Sequence, residues 1–407
     1  MTDALDLRDH RDVGGDLANR PSAALTDPPD EARRLARLFS RTAAELDRTG
    51  AFPKANIEAL SAAGLLNLVG GHDQGGYGAD LTMARKVISE IARGEPSTAL
   101  IVAMHFINHA SIRLSKRWPE HLARRLVLEG LRGPALINAL QVEPEAGSPS
   151  YGTLPRSIAR RTETGWRLTG HKKFATGCEG LSWFVVLAVT DEPLPRIGSF
   201  VVSHLSPGIG IDKTWDTVGM RATGSHDVIF HDVVVPLDDV LDLAPASEGI
   251  RRDAQQTAWF MLLIGAVYQG IARAARDDVL SFASSFRPGD LREPLSSLPR
   301  IQDELGAIEI LLVSNERLLN SVARDFDDGH PVGPDSGIVR HAVIENAIRA
   351  VDLALMIAGN AGLSRNSALE RHHRNVICGR THAPTGPLVR AAAAKSAIAT
   401  ITQAASP

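Results

Sequence analysis

The 407-residue sequence predicts an α+β fold that is mainly helical, with a helical N-terminal domain, a central β-domain and a C-terminal four-helix bundle. Changes in the spacing of apolar residues support this order. Apolar residues recur at helical steps of three and four up to about residue 130, alternate at a period of two between about residues 135 and 240, and return to helical steps after about residue 250. The chain therefore falls into three regions, in the order helices, strands, helices.

The N-terminal region divides into two predicted parts. Residues 1–22 have no apolar segment, so we expect a disordered N-terminus and no signal peptide. Residues 23–133 form the predicted helical domain, with amphipathic runs such as DPPDEARRLARLF and HLARRLVLEG separated by Gly and Pro. The glycine-rich run GGHDQGGYG follows a helical run and lacks a Lys-Ser/Thr pair, so it is interpreted as a tight connection rather than a nucleotide-binding loop.

The other two regions are also predicted from short characteristic runs. Residues 134–245 contain β-branched and aromatic runs bounded by Gly, Pro and Asp, which predict strands: GWRLTGHKKFATG, SWFVVLAVT, GSFVVSHL and DVIFHDVVVP. Residues 246–407 contain four long stretches with helical spacing, which begin at AWFMLLIGAV, RIQDELGAIE, GIVRHAVIEN and PLVRAAAAKS. These stretches predict a four-helix bundle.

Composition argues against several classes of partner. A formal net charge of -3, with both signs interspersed, gives no general attraction for nucleic acid or anionic membranes. The two cysteines lie outside any CxxC motif, and the adjacent histidines of ERHHRN lack metal-ligand spacing and are interpreted as surface residues. We therefore predict a cytoplasmic protein with no metal site, no nucleic acid partner and no membrane association.

Five segments in a fixed order carry a family resemblance. EPEAGSPS, GWRLTGHKKFATG and WDTVGMRATGSHDVIFHDVVVP lie in the central region, between AGLLNLVGGHDQGGYGADL and MIAGNAGLSRNSALERHHRN. Together they resemble the acyl-CoA dehydrogenase superfamily of flavoproteins over nearly the whole chain. The resemblance implies that family's fold, with a β-barrel-like central domain, flavin between this domain and the C-terminal bundle, and a homotetramer.

The resemblance also implies a set of flavin-binding residues. Ser148 would contact the flavin pyrophosphate, and Val142, Phe174 and Thr176 would line the isoalloxazine ring. A Gly-Ser turn can offer backbone N–H groups and a hydroxyl to phosphate oxygens, which gives the assignment of Ser148 a physical basis.

Three further residues are implied as flavin contacts from a neighbouring subunit. Arg287 corresponds to the pyrophosphate-binding arginine of the family, and Gly359 and Gly362 lie in MIAGNAG, which corresponds to a QxxGGxG segment at the adenine end of the cofactor. Met356 and Asn360 depart from that segment, because they replace its Gln and its second Gly. The resemblance implies FAD as the favoured cofactor, and these two departures at the adenine end keep FMN as the alternative.

The catalytic carboxylate of acyl-CoA dehydrogenases has no counterpart in this sequence. Those enzymes remove a proton next to a thioester carbonyl, which needs a desolvated carboxylate whose pKa is raised. The two positions of this base in the family correspond to Ala383, in the segment GRTHAPT, and to Phe260 on the first long helix of the bundle. Neither side chain can accept a proton.

His382, next to Ala383, instead lies in a segment similar to the monooxygenase branch, which includes dibenzothiophene monooxygenase, nitrososynthases and two-component hydroxylases. That resemblance implies reduced flavin supplied by a separate NAD(P)H-dependent reductase, O₂ as co-substrate, and a C4a-(hydro)peroxyflavin that oxygenates a small apolar or aromatic substrate at carbon, nitrogen or sulfur. Because imidazole titrates near neutrality, His382 is the predicted proton donor. His105 is a second candidate catalytic residue facing the substrate, and a buried, hydrogen-bonded histidine is the alternative.

Two other functions stay open at this stage. An FAD-dependent acyl-CoA or acyl-carrier-protein dehydrogenase would need a displaced base, for which Glu143, Glu145 and Glu179 are the candidates. A catalytically silent flavin-binding homologue would bind flavin without productive chemistry. The surroundings of the three carboxylates distinguish the dehydrogenase from the monooxygenase.

Overall fold

The computed structural model describes residues 27–145, 152–251, 253–287, 289 and 292–404. The predicted disordered segment over residues 1–22 and the predicted phosphate contact Ser148 both lie outside the described residues, so they stay predictions. The described parts confirm the predicted fold class, because helical N-terminal and C-terminal regions enclose a central sheet.

The N-terminal region is helical, as its apolar spacing predicts. Side-chain oxygens accept hydrogen bonds from free N–H groups at several helix starts: Asp80 accepts from the N–H of Met83, and Glu95 accepts from those of Ser97 and Thr98. The glycine-rich run contains only a short 3₁₀ turn, which confirms its interpretation as a connection. The helices are α1 Pro28–Phe39, α2 Ala43–Thr49, α3 Lys54–Ala62, α4 Leu81–Gly94, α5 Pro96–Leu114 and α6 Glu120–Arg132.

The described central region folds into one eight-stranded sheet. Its strands are β1 Leu136–Leu140, β2 Ile158–Arg161, β3 Gly165–Lys172, β4 Leu181–Thr190, β5 Arg196–Ser203, β6 Ile209–Asp212, β7 Asp227–Pro236 and β8 Val240–Pro245. The sheet order is β6-β7-β3-β2-β4-β5-β8, and β1 pairs in parallel with β4. The four runs predicted as strands are confirmed as β3, β4, β5 and β7. In β3 and β7 buried side chains largely alternate with exposed ones, whereas β4 and β5 are buried along most of their length.

A buried ion pair connects the sheet to both ends of the segment that contains Ser148. Lys172 at the end of β3 is fully buried, and its Nζ lies 2.5 Å from Oε1 of Glu143 and 2.6 Å from the carbonyl oxygen of Leu187. Glu143 also accepts hydrogen bonds from the N–H groups of Arg156 and Ser157 and from the Ser157 hydroxyl. The buried carboxylate of Glu143 therefore holds residues 143 and 157 close together.

The C-terminal region contains the four predicted long helices and one shorter helix. The long ones are α7 Ala254–Ser285, α8 Pro299–Asp327, α9 Gly333–Ala358 and α11 Gly386–Ala404, and the shorter one is α10 Ala368–Ile377. By length and composition alone α7 could cross a membrane, but 89% of its apolar window is buried inside the protein. The position of α7 is therefore that of the central helix of a bundle.

Arg374 on α10 joins the three regions at one point. Its guanidinium pairs with Asp47 of α2 and Glu370 of α10, in both cases at 2.6 Å, and donates to the carbonyl oxygen of Val218 in the central region. The N–H of Met220 donates to the side-chain oxygen of the next residue on α10, Asn375. These bonds fix the loop before β7 against the start of the segment that carries His382.

Candidate active site

The three predicted ring-lining residues of the central region lie close together at the end of β3. The carbonyl oxygen of Val142 accepts from the N–H of Lys173, which places Val142 beside the loop that carries Phe174 and Thr176. Phe174 is 56% exposed and adopts a left-handed backbone conformation, with φ of 56°. A bulky residue in this conformation is strained, and an exposed aromatic side chain held in this way is typical of a binding surface.

A chain of hydroxyl groups extends from this loop towards the C-terminal region. The Thr176 hydroxyl lies 3.0 Å from that of Ser225, which lies 2.9 Å from that of Thr223. Thr223 and Met220 belong to the loop that α10 holds through Asn375. Hydrogen bonds thus connect the loop that carries Phe174 and Thr176, through the loop before β7, to α10, which precedes the segment that carries His382.

His382 follows α10 and forms a hydrogen bond with a residue that the sequence analysis did not identify. Its Nε2 lies 2.7 Å from the hydroxyl oxygen of Tyr268, a fully buried residue in the middle of α7. Burial raises the pKa of Tyr268 well above its ordinary value. Tyr268 thus keeps its proton and can donate it to Nε2, which leaves the single proton of a neutral His382 ring on Nδ1.

The charge state of His382 differs from the sequence expectation. Burial, with a smaller contribution from the nearby Arg340 guanidinium, lowers the pKa of His382 to about 4. The prediction of a histidine that titrates near neutrality is therefore wrong for this environment. At neutral pH the ring is uncharged, and it can hold a proton at Nδ1 as a hydrogen-bond donor.

Arg340 on α9 is a second residue that the sequence analysis did not identify. Its side chain is buried, and its guanidinium donates to the carbonyl oxygens of His382, Ala383 and Pro384. Burial lowers the pKa of Arg340 to about 10, so it remains charged at neutral pH. Arg340 thus holds the segment that carries His382 in place and supplies a positive charge beside it.

His382 and Arg340 line a cavity of about 420 Å³ between α9, the segment after α10 and the start of α11. Its volume lies within the range of small-molecule sites. Glu345 is the one carboxylate among the residues that line it, and the side chain of Glu345 pairs with Arg380 at 2.6 Å. The hydrogen bond from Arg380 lowers the pKa of Glu345. This shift is opposite to the raised pKa that an enolising base requires.

The three carboxylates considered as displaced bases are all engaged in other interactions. Although burial alone would raise it, the pKa of Glu143 is lowered by hydrogen bonds from Lys172 and Ser157. Glu145 pairs with Arg156, and Glu179 pairs with Lys213 at 2.7 Å. None of the three lines the cavity that contains His382.

His105 makes two contacts to backbone groups in the interior. Its Nε2 lies 3.0 Å from the carbonyl oxygen of Leu66, and its Nδ1 accepts from the N–H of Ile137 at 3.4 Å. Burial lowers the pKa of His105 to about 4. This arrangement is the one expected of a buried, hydrogen-bonded histidine, and the catalytic role of His105 stays a prediction.

The histidine pair on α5 predicts a loss of stability in acid. His109 is buried with its ring 4.2 Å from that of His105, and burial together with His105 lowers the pKa of His109 well below its ordinary value. As the pH falls below about 6.5, the unfolded chain takes up these protons before the folded chain, so the free energy of unfolding decreases, by up to about 3 kcal/mol for His105 alone. Urea unfolding at pH 7.5 and pH 4.5 measures this decrease.

The substitution His109→Leu tests the assignment of this pH dependence. Neither ring nitrogen of His109 has a hydrogen-bond partner among the residues that the structure describes. The leucine variant should therefore unfold with a weaker pH dependence and without loss of stability at pH 7.5. The matched control is His330→Gln, at an exposed histidine, which should keep the wild-type dependence. Equal pH dependence in the wild type and His109→Leu would contradict the assignment.

The residues implied as contacts from a neighbouring subunit lie elsewhere on the C-terminal region. Gly362 lines a second cavity of about 190 Å³ together with Phe282 near the end of α7, and this cavity shares no lining residue with the first. Gly359 is exposed and has a φ of 56°, and Arg287 is exposed and bonded to the carbonyl oxygen of Ser285. The flavin-binding roles of all three stay predictions.

One histidine interpretation needs correction. His372 of the ERHHRN run is buried, and its Nε2 lies 2.9 Å from a carboxylate oxygen of Asp278 on α7. The sequence interpretation as a surface residue is therefore wrong for His372. Its neighbour His373 is partly exposed and lies 3.4 Å from Asp352. No group of three metal-ligating side chains occurs among the residues with described positions.

Comparison with known families shows the class of proteins to which the chain belongs. Three models match in order: the acyl-CoA dehydrogenase N-terminal domain over residues 29–116, its middle domain over residues 140–233 and its C-terminal domain over residues 262–387. The chain belongs to the acyl-CoA dehydrogenase family and is a flavoprotein of that superfamily.

Individual relatives include both dehydrogenase-type and monooxygenase-type proteins. The chain is 32% identical over 356 residues to the putative acyl-CoA dehydrogenase YdbM of Bacillus subtilis, covering 86% of this chain and 91% of the relative. It is 28% identical over 392 residues to dibenzothiophene monooxygenase of Rhodococcus qingshengii, covering 90% and 91%.

Solved structures of related oxidoreductases superpose on most of the fold. TdsC from Paenibacillus sp. A11-2, in complex with FMN and indole, has a TM-score of 0.78 at 25% identity, covering 89% of this chain and 95% of that one. KijD3, in complex with FMN and a dTDP-linked 3-amino-4-keto sugar, has a TM-score of 0.82 at 25% identity, covering 94% and 95%.

Proposed function

We propose that the protein is the oxygenase component of a two-component flavin-dependent monooxygenase. In this reaction the reduced flavin supplies two electrons to O₂, so that one oxygen atom enters the substrate and the other leaves as water. The proposal includes a separate NAD(P)H-dependent flavin reductase, a homotetramer and a cytoplasmic location. FAD is the favoured flavin, and the FMN complexes of TdsC and KijD3 support FMN as the alternative.

The observation that carries this proposal is the chemistry of the cavity beside Ala383. A dehydrogenase of this family needs a carboxylate with a raised pKa as its catalytic base. The one carboxylate among the residues lining the cavity, Glu345, is bonded to Arg380, which lowers the pKa of Glu345. The side chain next to Ala383 is His382, which is neutral and bonded to Tyr268. This set of residues suits proton donation better than proton abstraction from carbon.

The residues of the loop after β3 fit a flavin. The exposed ring of Phe174 offers an apolar face, and the hydroxyl of Thr176, which is bonded to the buried Ser225 of the loop before β7, offers a hydrogen-bonding group beside it. These residues, with Val142, would hold the ring system. Their roles rest on the family resemblance and on this local geometry.

We assign His382 the task of keeping a proton available near the reacting oxygen. Tyr268 donates to Nε2, so the Nδ1–H of His382 is the free donor of the pair. A neutral donor can stabilise developing negative charge on oxygen while its own proton stays bound at neutral pH. Arg340 contributes by donating hydrogen bonds to the carbonyl oxygens of His382 and of the next residue, Ala383. We assign His105 no step, because backbone groups occupy both of its ring nitrogens.

An acyl-CoA dehydrogenase is the second candidate, because YdbM, a putative member of that class, is 32% identical to the chain. Purified protein is mixed without air with reduced FAD or reduced FMN, and oxygenated buffer is then added in a stopped-flow spectrometer. The monooxygenase predicts a transient spectrum, distinct from both reduced and oxidised flavin, that persists for seconds without substrate. Direct, slow return of oxidised flavin with no transient would instead favour the dehydrogenase or a silent homologue.

Reduction by acyl-CoA thioesters of several chain lengths separates those two remaining classes. A dehydrogenase bleaches its bound oxidised flavin when an acyl-CoA substrate is added without air. A silent homologue binds flavin and shows neither this bleaching nor the oxygen transient. The proposed monooxygenase should show the transient and no bleaching.

A further inference from the structure

The cavity beside His382 carries an excess of positive charge that the proposed reaction does not use. Three arginines line it: Arg340 on α9, Arg380 in the segment after α10, and Arg390 on α11. Glu345 is the one carboxylate among the lining residues, and it already accepts two hydrogen bonds from Arg380, at 3.0 and 2.6 Å. Among the described residues neither Arg340 nor Arg390 forms an ion pair with a carboxylate, although the charge of Arg390 also helps to lower the pKa of Glu345.

Arg340 is the unusual member of this group because it is buried. Its side chain is only 2% exposed, and its guanidinium contacts carbonyl oxygens but no anion in the described structure. Within the described part of the chain its Nε–H has no hydrogen-bond partner. A buried charge without a counter-charge is costly, and a buried donor without an acceptor adds to that cost. Both costs decrease if an anion enters the cavity.

Arg390 offers a second cationic group at the exposed side of the same cavity. Its Nη1 lies 3.4 Å from Nε2 of His341, another lining residue, and this contact does not neutralise it. Both arginines line the same cavity, where the Nε–H of the buried Arg340 and the exposed guanidinium of Arg390 are the donors available to a ligand. Guanidinium groups are well suited to the paired oxygens of carboxylates and phosphates.

We propose that this cavity binds the anionic group of a ligand, a carboxylate or a phosphate, between Arg340 and Arg390. This inference goes beyond the proposed oxygenation, since it concerns binding alone and holds whichever reaction the flavin performs. It also changes the expected ligand: an apolar or aromatic body attached to an acidic group fits this lining better than a wholly apolar compound. The anionic group would lie beside the segment that carries His382.

The test is calorimetric titration of the full-length protein with inorganic phosphate and, separately, with benzoate, at low ionic strength. We expect saturable binding of at least one probe to the wild type. The substitution Arg390→Gln should weaken that binding about tenfold or more, since it removes a charged hydrogen-bond donor. The matched control Arg349→Gln, at an exposed arginine on the same helix as Arg340, should bind as the wild type does.

A second variant, combined with a folding control, tests the contribution of Arg340 to the same site. Arg340→Lys keeps the charge but removes the planar donor set, and thermal unfolding shows whether the segment around His382 is still held. Saturable binding that weakens in Arg390→Gln, or in a folded Arg340→Lys, supports the site. Absence of binding to both probes in the wild type, or unchanged binding in both variants, would overturn the proposal.

Titration with FMN and riboflavin then identifies the source of the anion. If the site receives a flavin phosphate, the preference for FMN over riboflavin should collapse in Arg390→Gln. If the site receives the acidic group of a substrate, the preference for FMN over riboflavin should persist in Arg390→Gln, while the affinity of that variant for benzoate should fall. None of these titrations involves O₂, so a failed oxygenation assay leaves their outcome unaffected.

Discussion

Replacing His382 with alanine is expected to lower the yield of oxygenated product by about 100-fold or more, while the fold and flavin binding persist. The expected size is that of removing a positioned proton donor. The neutral ring bonds to Tyr268 through Nε2, and its loss leaves the cavity without the Nδ1–H donor. Indole and dibenzothiophene are the first trial substrates. The related TdsC has been solved in complex with indole, and another relative is named dibenzothiophene monooxygenase.

Measurements on the same sample separate a chemical role from a structural one. Flavin affinity and the thermal unfolding midpoint should stay close to the wild-type values in His382→Ala, while hydrogen peroxide rises for each O₂ consumed. Tyr268→Phe should give an intermediate loss, because it removes the partner of Nε2 but leaves the ring. The control His373→Ala, at a partly exposed histidine of α10, should retain full product yield. Unchanged coupling of O₂ to product in His382→Ala would rule out the proposed role.

The sequence was sufficient for the fold because the relevant signals are local. Strands such as β7 alternate between buried and exposed side chains, and α7 carries a long run of apolar residues at helical spacing. The loss of the family carboxylate at Ala383 was equally visible, because the flanking motif fixes the position of that residue in the chain.

The surroundings of His382 could not be predicted in the same way. Tyr268 lies 114 positions earlier, within an apolar helix whose pattern indicates only core packing. Arg340 is one of several charged residues on α9, and arginine is mostly exposed in proteins, so the sequence alone places it on the surface. His372 was misassigned for a similar reason, since its partner Asp278 is 94 positions away. The pKa of His382 depends on these distant groups and on burial.

Replacing Lys172 with methionine is expected to lower the free energy of unfolding by about 3–5 kcal/mol, because the change leaves the Glu143 carboxylate buried without its counter-charge. Urea unfolding followed by circular dichroism measures the loss. Lys54→Met is the surface control: the Lys54–Glu58 pair lies at 3.7 Å with both side chains mostly exposed, so its loss should cost less than about 1 kcal/mol.

The double variant Lys172→Met with Glu143→Leu distinguishes the charge pair from the rest of its network. Removing both charges together relieves the unpaired carboxylate, so stability should recover relative to Lys172→Met. Recovery should be incomplete, because the N–H groups of Arg156 and Ser157 then lose their acceptor. Flavin affinity should fall in both variants, since Glu143 and Ser157 flank the segment that contains the predicted phosphate contact Ser148. A Lys172→Met protein within about 1 kcal/mol of the wild type would show that the pair contributes little to stability.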